Sequence, residues 1–224
     1  MDFRVFIQAR MSSVRFPGKM LAPFRGRPLI AQVLDRFSDS DLQPRLVVLT
    51  SVDSTDDPLA DFVINRCSVP VFRGDLDNVV LRFQSALVAY PCAWFVRISG
   101  DSPLLDASLV QAMIGLCDDR VDVVSNIVRR TFPPGQSVEC ICSDVFRSLD
   151  SGSMTHDQRE HVTKIFYEQA QPWRVRSVVC QDPRWAAVRM VVDQIEDLRA
   201  LQEGVELPPS FAALARLEAM PGAA

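Results

Sequence analysis

The sequence predicts an α/β protein built on a doubly wound, mainly parallel sheet, and three observations predict it. Near-continuous apolar runs recur at Val5-Phe6-Ile7, Leu46-Val47-Val48-Leu49 and Trp94-Phe95-Val96. Strands apolar on both faces are those buried between layers of helices. Apolar stripes at helical spacing separate these runs, which is the alternation of a parallel sheet. Finally, residues 3–34 hold six basic residues and no Asp or Glu, in a chain of net charge −4. Much of that charge falls in the loop after the first run, from Gln8 to Lys19. In an open α/β sheet this loop lies at the carboxyl edge, where ligands bind.

The elements follow in order. Residues 3–9 form the first strand, and residues 28–37 carry a helical stripe in Leu29, Ile30, Val33, Leu34 and Phe37. A strand over 45–50, a short helix over 58–66 and a strand over 69–72 come next. An amphipathic helix passes through Val79, Val80, Phe83 and Leu87. Residues 94–98 make the fourth apolar strand, which ends in Ser99-Gly100-Asp101-Ser102-Pro103. The helix over 107–117 has Asp106 placed to cap it.

After 121–126 the alternation breaks. Arg129 to Gly135 is rich in turn formers, and 137–142 alternates as a strand. Thr155 and Gln158 form a capping box, opening a helix with Val162, Ile165 and Phe166 on one face. Residues 173–179 and 188–192 read as two more strands, Asp193 opens a last pair of helical segments, and the tail frays from Met220. No repeat, low-complexity tract or linker interrupts the chain. The reading is one domain over 1–224, with an inserted or appended lobe over 127–180.

Composition narrows the function. With 48% hydrophobic and 23% charged residues, the chain has an ordinary soluble make-up. Its acidic balance argues against a general nucleic-acid binder. No apolar run reaches the ~18 residues of a membrane span, and the chain enters its first strand without a signal-peptide core, so a cytoplasmic protein is expected. The six cysteines show no CxxC or Cys/His spacing and read as small apolar residues rather than a zinc site. Cys140 and Cys142 share one strand face.

The basic loop suits a polyphosphate: Arg forks onto oxygens, Lys is a compact charge, and Ser12 and Ser13 add neutral donors. A solvated basic loop is the alternative. Neither GxxxxGK[ST] nor GxGxxG is present, so side chains must do the work of a glycine nest. Asp101, at the end of a buried strand, is placed to hold Mg²⁺ against phosphate oxygens, since magnesium takes only one or two protein carboxylates. A turn aspartate bonding its own backbone is the alternative. Asp193 is the candidate second ligand if its strand joins the sheet in parallel; with Glu196 it equally reads as a helix cap. Arg159-Glu160-His161 could face a pocket, solvent or a second subunit. No G-x-S-x-G elbow supports a hydrolase.

Taken together, these residues resemble the spore coat polysaccharide biosynthesis cytidylyltransferases, relatives of the acylneuraminate and 3-deoxy-manno-octulosonate cytidylyltransferases. The matching pieces run in order along nearly the whole chain. They are Gln8-Ala9-Arg10 with Ser13 to Lys19, Thr50-Ser51, Arg73-Gly74-Asp75 with Asp77-Asn78-Val79 and Arg82, and Arg97 to Leu104. Ser125-Asn126, Gly135 with Glu139, Arg159 to Thr163, and Val192-Asp193 with Glu196-Asp197-Leu198 complete the set.

The resemblance implies a nucleotide-diphospho-sugar transferase fold, a homodimer, and a Mg²⁺-dependent reaction of CTP with a small acidic sugar or related acceptor, releasing pyrophosphate. It implies that Arg10 and Lys19 act on the triphosphate and that Asp101 and Asp193 hold the metal, these four being the catalytic set. Ala9, Ser13, Arg15, Thr50, Gly74, Asp75, Asn78, Arg82 and Gly100 join Arg10 and Lys19 around the nucleotide. Asn126, Gly135, Glu139, Arg159, Glu160 and His161 border the acceptor pocket or the dimer contact. The chain departs from the family after Gly135, where Gln136-Ser137 replaces the usual Leu-Asp beside the implied acceptor site. Two alternatives stand: another nucleotidyltransferase or a glycosyltransferase of the same fold, and a nucleotide-binding relative without turnover. Ala9-Arg10-Met11-Ser12 in place of a Gly-rich loop disfavours the sugar-1-phosphate enzymes, and retention of Lys19, Asp101 and Asp193 disfavours the inactive relative.

Overall fold

In the computed structural model, which describes residues 1–168 and 173–218, the apolar runs pair into one eight-stranded sheet. β1 (Phe3–Gln8) leads into a small separate hairpin, β2 (Pro23–Phe24) and β3 (Arg27–Pro28), turned by Arg25 and Gly26 at positive φ. β4 (Leu46–Ser51) and β6 (Trp94–Ser99) flank β1 in parallel, and β5 (Val71–Gly74) lies outside β4. Beyond β6 come β8 (Glu139–Cys142), β7 (Val123–Ser125), β9 (Val175–Cys180) and β10 (Ala215–Leu217). β8 is antiparallel to both neighbours and β10 is antiparallel to β9, while β7 and β9 are parallel. The chain moves outward from β1 to β4 and β5, then returns to β6 on the other side. That reversal opens a crevice at the carboxyl ends of β1 and β6, where α/β sheets bind ligands.

Strand alternation sorts the core into two layers. Val5, Ile7, Val48, Val96 and Ile98 point to one face, and Phe6, Val47, Leu49, Phe95, Val123 and Ile141 to the other. Helices α1 (Leu29–Asp35), α2 (Asp57–Phe62), α3 (Val79–Ala89), α4 (Ala107–Ile114) and α5 (Ser143–Arg147) cover these faces. α1, α2 and α4 pack on the first, and α3 and α5 on the second, where Phe6, Phe83, Phe95 and Phe146 form an aromatic cluster with centroids 5.0–6.2 Å apart. The caps follow the sequence. Asp106 accepts from the Ser108 amide at 2.9 Å, as expected, and the Asn78 side chain, not singled out as a cap, accepts from the Leu81 amide at 2.9 Å.

Three expectations are corrected. Residues 188–192 do not join the sheet: Met190 N–H donates to Pro134 O at 2.7 Å and Val192 N–H to Asp101 O at 2.9 Å. Met190 and Val192 are fully buried, so their apolar spacing reports burial under loops and not a ladder. The capping box at Thr155 is present, but the helix it opens, α6 (His156–Glu160), stops at His161 (φ −96°, ψ 57°), and Lys164–Tyr167 is a separate 3₁₀ turn. Val162 and Phe166 are still buried. Asp193 does not cap α7 (Ile195–Glu203); Gln194 does, in reciprocal bonds with Asp197.

The stretch 127–180 supplies β8 and β9 to the sheet, while α5 and α6 within it pack on α3. α8 (Phe211–Leu214) meets α4, with the Phe211 amide donating to Asp106 at 2.6 Å. No helix of the described residues is long and apolar enough to cross a membrane. The tail from Met220, expected to fray, lies outside them.

Candidate functional site

The basic loop is held from beneath by a carboxylate that sequence reading missed. Asp56, fully buried, accepts from the Met11 amide at 2.6 Å and the Ser51 amide at 3.0 Å, fastening the loop after β1 to the end of β4. Gly18, at φ 76°, turns the loop back through its amide's 2.9 Å bond to Met11 O. That turn delivers Lys19, which is 6% exposed, into the crevice. Gly100, at the end of β6, keeps β1 close: a Cβ there would meet Ala9 Cβ at 3.0 Å.

Lys19 Nζ donates to Asp101 Oδ2 at 2.6 Å and to Val192 O at 2.7 Å, and lies 3.7 Å from Asp193 Oδ1. The two predicted metal ligands thus converge on one ammonium. Asp193 reaches it without a strand. Residues 188–192 cross over Gly135 (φ 104°), where a Cβ would stand 2.4 Å from Met190 C and O, and the bond to Asp101 O sets the crossing point. Arg189, also missed, clamps the far side, with Nη2 at 2.7 Å from Asp193 Oδ2 and Nε at 2.6 Å from Asp197 Oδ1. Burial works against the Asp197 carboxylate, but Arg189 and the Asp193 and Gln194 amides outweigh it and lower its pKa.

Two cavities open side by side at this edge. The first, about 360 Å³, is lined by Ala9, Arg10, Ser13, Arg15, Lys19 and Asp193, together with Gln8, Arg97 and Ser99. The second, about 450 Å³, is lined by Asp101, Gly135, Ser137, His161, Thr163 and Tyr167, with Arg97, Ser99, Arg130 and Lys164. Both sizes suit small ligands. Arg10, Arg15, Lys19 and Arg97 face one acid in the first. In the second, Arg97, Arg130 and Lys164 face Asp101.

The remaining predicted residues take other places. Glu160 pairs with Arg10 at 3.0 Å, each side chain about one-third exposed, so the α6 segment touches the basic loop directly. Glu139, 1% exposed, holds Arg97 at 2.5 Å and accepts from Tyr167 Oη. Burial, then the neighbouring Glu139, push the Tyr167 phenol's pKa well up. Asn126 is committed to backbone at both ends of its amide, to Gln136 O at 2.7 Å and from Val138 N–H at 2.8 Å. Arg159 donates to Met154 O, and His161 lies 3.3 Å from Asp157. Of the departing pair, Gln136 is a buried staple between Leu104 O and the Asp106 amide, and only Ser137 reaches the second cavity.

Thr50, Gly74, Asp75, Asn78 and Arg82 sit at the β4–β5 edge and line neither cavity. Gly74 makes room for Arg82, whose Cγ would be 2.8 Å from an added Cβ. Arg82 is fully buried and donates to Asp75 O and Leu76 O at 2.7 and 2.9 Å, while Asp75 bonds the Asp77 and Asn78 amides. Its Nη1 and the Thr50 hydroxyl have no partner, and burial lowers its pKa. Among the described residues no three His, Cys, Asp or Glu side chains cluster as a metal cage.

Comparison with known proteins gives a consistent picture. A family model described as cytidylyltransferase matches residues 5–217. The spore coat polysaccharide biosynthesis protein SpsF of Bacillus subtilis is 28% identical over 207 residues, covering 90% of this chain and 85% of that protein. A cytidylyltransferase structure from Leptospira borgpetersenii serovar Hardjo-bovis matches at TM-score 0.86 and 28% identity, over 96% of this chain and 92% of that one. A CMP:2-keto-3-deoxy-manno-octonic acid synthetase complexed with CTP shares the fold, at TM-score 0.65 and 16% identity over 91% and 98% of the two chains.

Proposed function

Because the chain belongs to the cytidylyltransferase family, we propose that it joins CTP to a small acidic acceptor, a keto-sugar acid such as a nonulosonic acid, giving a CMP-sugar and pyrophosphate. The product would serve surface polysaccharide biosynthesis, in the cytoplasm, from a homodimer. Residues 1–224 act as one domain in which 127–180 forms the acceptor and dimer side. The observation that carries the reading is the pair of adjoining cavities: a cation-rich one behind the β1 loop and a second, also net basic, beside it. SpsF is named for spore coat polysaccharide biosynthesis and the synthetase of the same fold binds CTP, in keeping with this reading.

Arg10, Arg15 and Lys19 bind the triphosphate, and the acceptor sits against Ser137, His161 and Thr163. Its hydroxyl oxygen attacks the α-phosphorus in line, the bond to the bridging oxygen breaks, pyrophosphate departs on the loop cations, and the hydroxyl proton leaves to water. Asp101 and Asp193 fit Mg²⁺: two carboxylates already share one cation, Lys19, and that number suits an ion completed by water and phosphate oxygens. Bound there, the metal would neutralise phosphate charge. Arg189 keeps Asp193 turned toward it.

Thermal unfolding with CTP, UTP, ATP and GTP, each with and without Mg²⁺, tests the reading. A ligand bound only by the native state at a hundred times its Kd adds about 2.7 kcal/mol. A shift selective for CTP and enhanced by Mg²⁺, followed by pyrophosphate release with acidic sugars, is expected. Equal shifts with all four nucleotides would refute the base assignment.

A further inference from the structure

The two cavities share two lining residues, Arg97 and Ser99 of β6. Groups that react across the boundary must meet beside them. On the reading above, that meeting point is the α-phosphorus, which loses pyrophosphate and gains the acceptor oxygen. Arg97 lies inside an apolar strand, four residues before Asp101, and its spacing alone marks no role.

Strand alternation explains why an arginine is there. On the α3 face the strands contribute Phe6, Phe95, Val123 and Ile141 to the core. The same face ends, at the carboxyl edge, in Gln8, Arg97, Ser99, Ser125 and Glu139. Arg97 and Glu139 are direct partners across β6 and β8.

A guanidinium has five N–H donors. Arg97 Nε and Nη2 both donate to Gln8 Oε1, at 3.1 and 3.0 Å, and Nη1 donates to Glu139 Oε2 at 2.5 Å. One donor on each terminal nitrogen remains for the oxygens of a bound anion. The side chain is 20% exposed and lines both cavities. Behind it, Glu139 is fixed by Tyr167 Oη, which lies 2.9 Å from Ser125 Oγ. The arginine is therefore aimed before any ligand arrives.

We infer that Arg97 binds the α-phosphate, the one phosphate the nucleotide product keeps, with Gln8 and Glu139 as positioning residues. The inference rests on the cytidylyltransferase reading. Arg10 and Lys19 go with the departing pyrophosphate; Arg97 stays with CMP and neither gives nor takes a proton.

Arg97→Gln alone strands the buried Glu139 carboxylate. The test therefore uses Arg97→Gln combined with Glu139→Gln, which removes both charges and leaves an amide at each position, and Arg97→Lys, which keeps the charge and loses the fork. Thermal unfolding checks that each is folded. Calorimetric titration with cytidine and with CMP, without divalent cation, reads the phosphate's share of binding. The double variant is expected to weaken CMP about 10- to 100-fold while cytidine changes less than about twofold, the range for losing hydrogen bonds to a charged group. Arg97→Lys should fall between. A folded double variant with an unchanged CMP-to-cytidine ratio overturns the inference and leaves Arg97 a counter-ion of Glu139 alone. If the wild type binds UMP, AMP or GMP in preference to CMP, the base assignment falls, and the same ratio, measured with that nucleotide and its nucleoside, still decides Arg97. A wild type that binds none of the four overturns both.

Discussion

Replacing Lys19 by Met removes the ammonium on which Asp101 and Asp193 converge, at 2.6 and 3.7 Å. Asp193 keeps Arg15 at 3.3 Å and Arg189 at 2.7 Å, but Asp101, with only 14% of its side chain exposed, keeps little more than the Ser102 hydroxyl at 3.4 Å. Breaking a buried ion pair from one side costs about 3–5 kcal/mol, and the surviving partners of Asp193 bring the expected loss to about 2–3 kcal/mol. In a chain of this length each kcal/mol moves Tm by about 2–4 °C, so Lys19→Met should melt about 4–12 °C lower without metal. Mg²⁺ should restore much of that loss, because the variant offers two carboxylates with no ammonium to displace. The assay is differential scanning fluorimetry or calorimetry of both proteins across a Mg²⁺ series. A variant that melts with the wild type, or equal Mg²⁺ stabilisation of both, would refute the idea that ammonium and metal compete for one position.

Other consequences follow from the same geometry. On the proposed function Glu160 and a triphosphate would compete for Arg10, and a pair this exposed is worth about 0.2–1 kcal/mol, so Glu160→Gln should tighten tripolyphosphate binding by about 1.4- to 5-fold in titration calorimetry. Weaker binding would show that Glu160 aims Arg10 and does not distract it. Gly135→Ala would place a Cβ 2.4 Å from Met190 at φ 104°. It should cost at least about 1–3 kcal/mol in urea unfolding and, by shifting the segment that carries Asp193, lower turnover as well. Burial opposes the ionised Asp106, but Ser108, Ser210 and the Phe211 amide outweigh it and lower its folded pKa. With an unfolded value near 3.9, its stabilisation is present above about pH 4 and lost as pH falls through the folded pKa. Unfolding free energies between pH 5 and 3 should therefore drop less steeply in Asp106→Asn than in the wild type.

The sequence by itself determined the doubly wound sheet, the basic loop and the carboxylate after β6, because each is a local fact. Apolar runs at strand spacing must be buried, a charge run in the first βα loop must lie at the carboxyl edge, and Asp101 follows its strand directly. The caps at Asp106 and Thr155 were legible for the same reason, since a cap and its amide lie within a few residues. What the tertiary structure alone decided depends on contacts between distant segments. Asp193 reaches Lys19 through a crossing over Gly135 that no periodicity encodes, and the buried apolar pattern of 188–192 imitates a strand. Asp56 holds the basic loop through the Met11 amide, a bond across 45 residues that a local reading does not link. Arg97 is the clearest case. In the sequence it is one polar residue in an apolar strand, and only when β8 is laid antiparallel beside β6 does Glu139 fall opposite it and turn it toward both cavities.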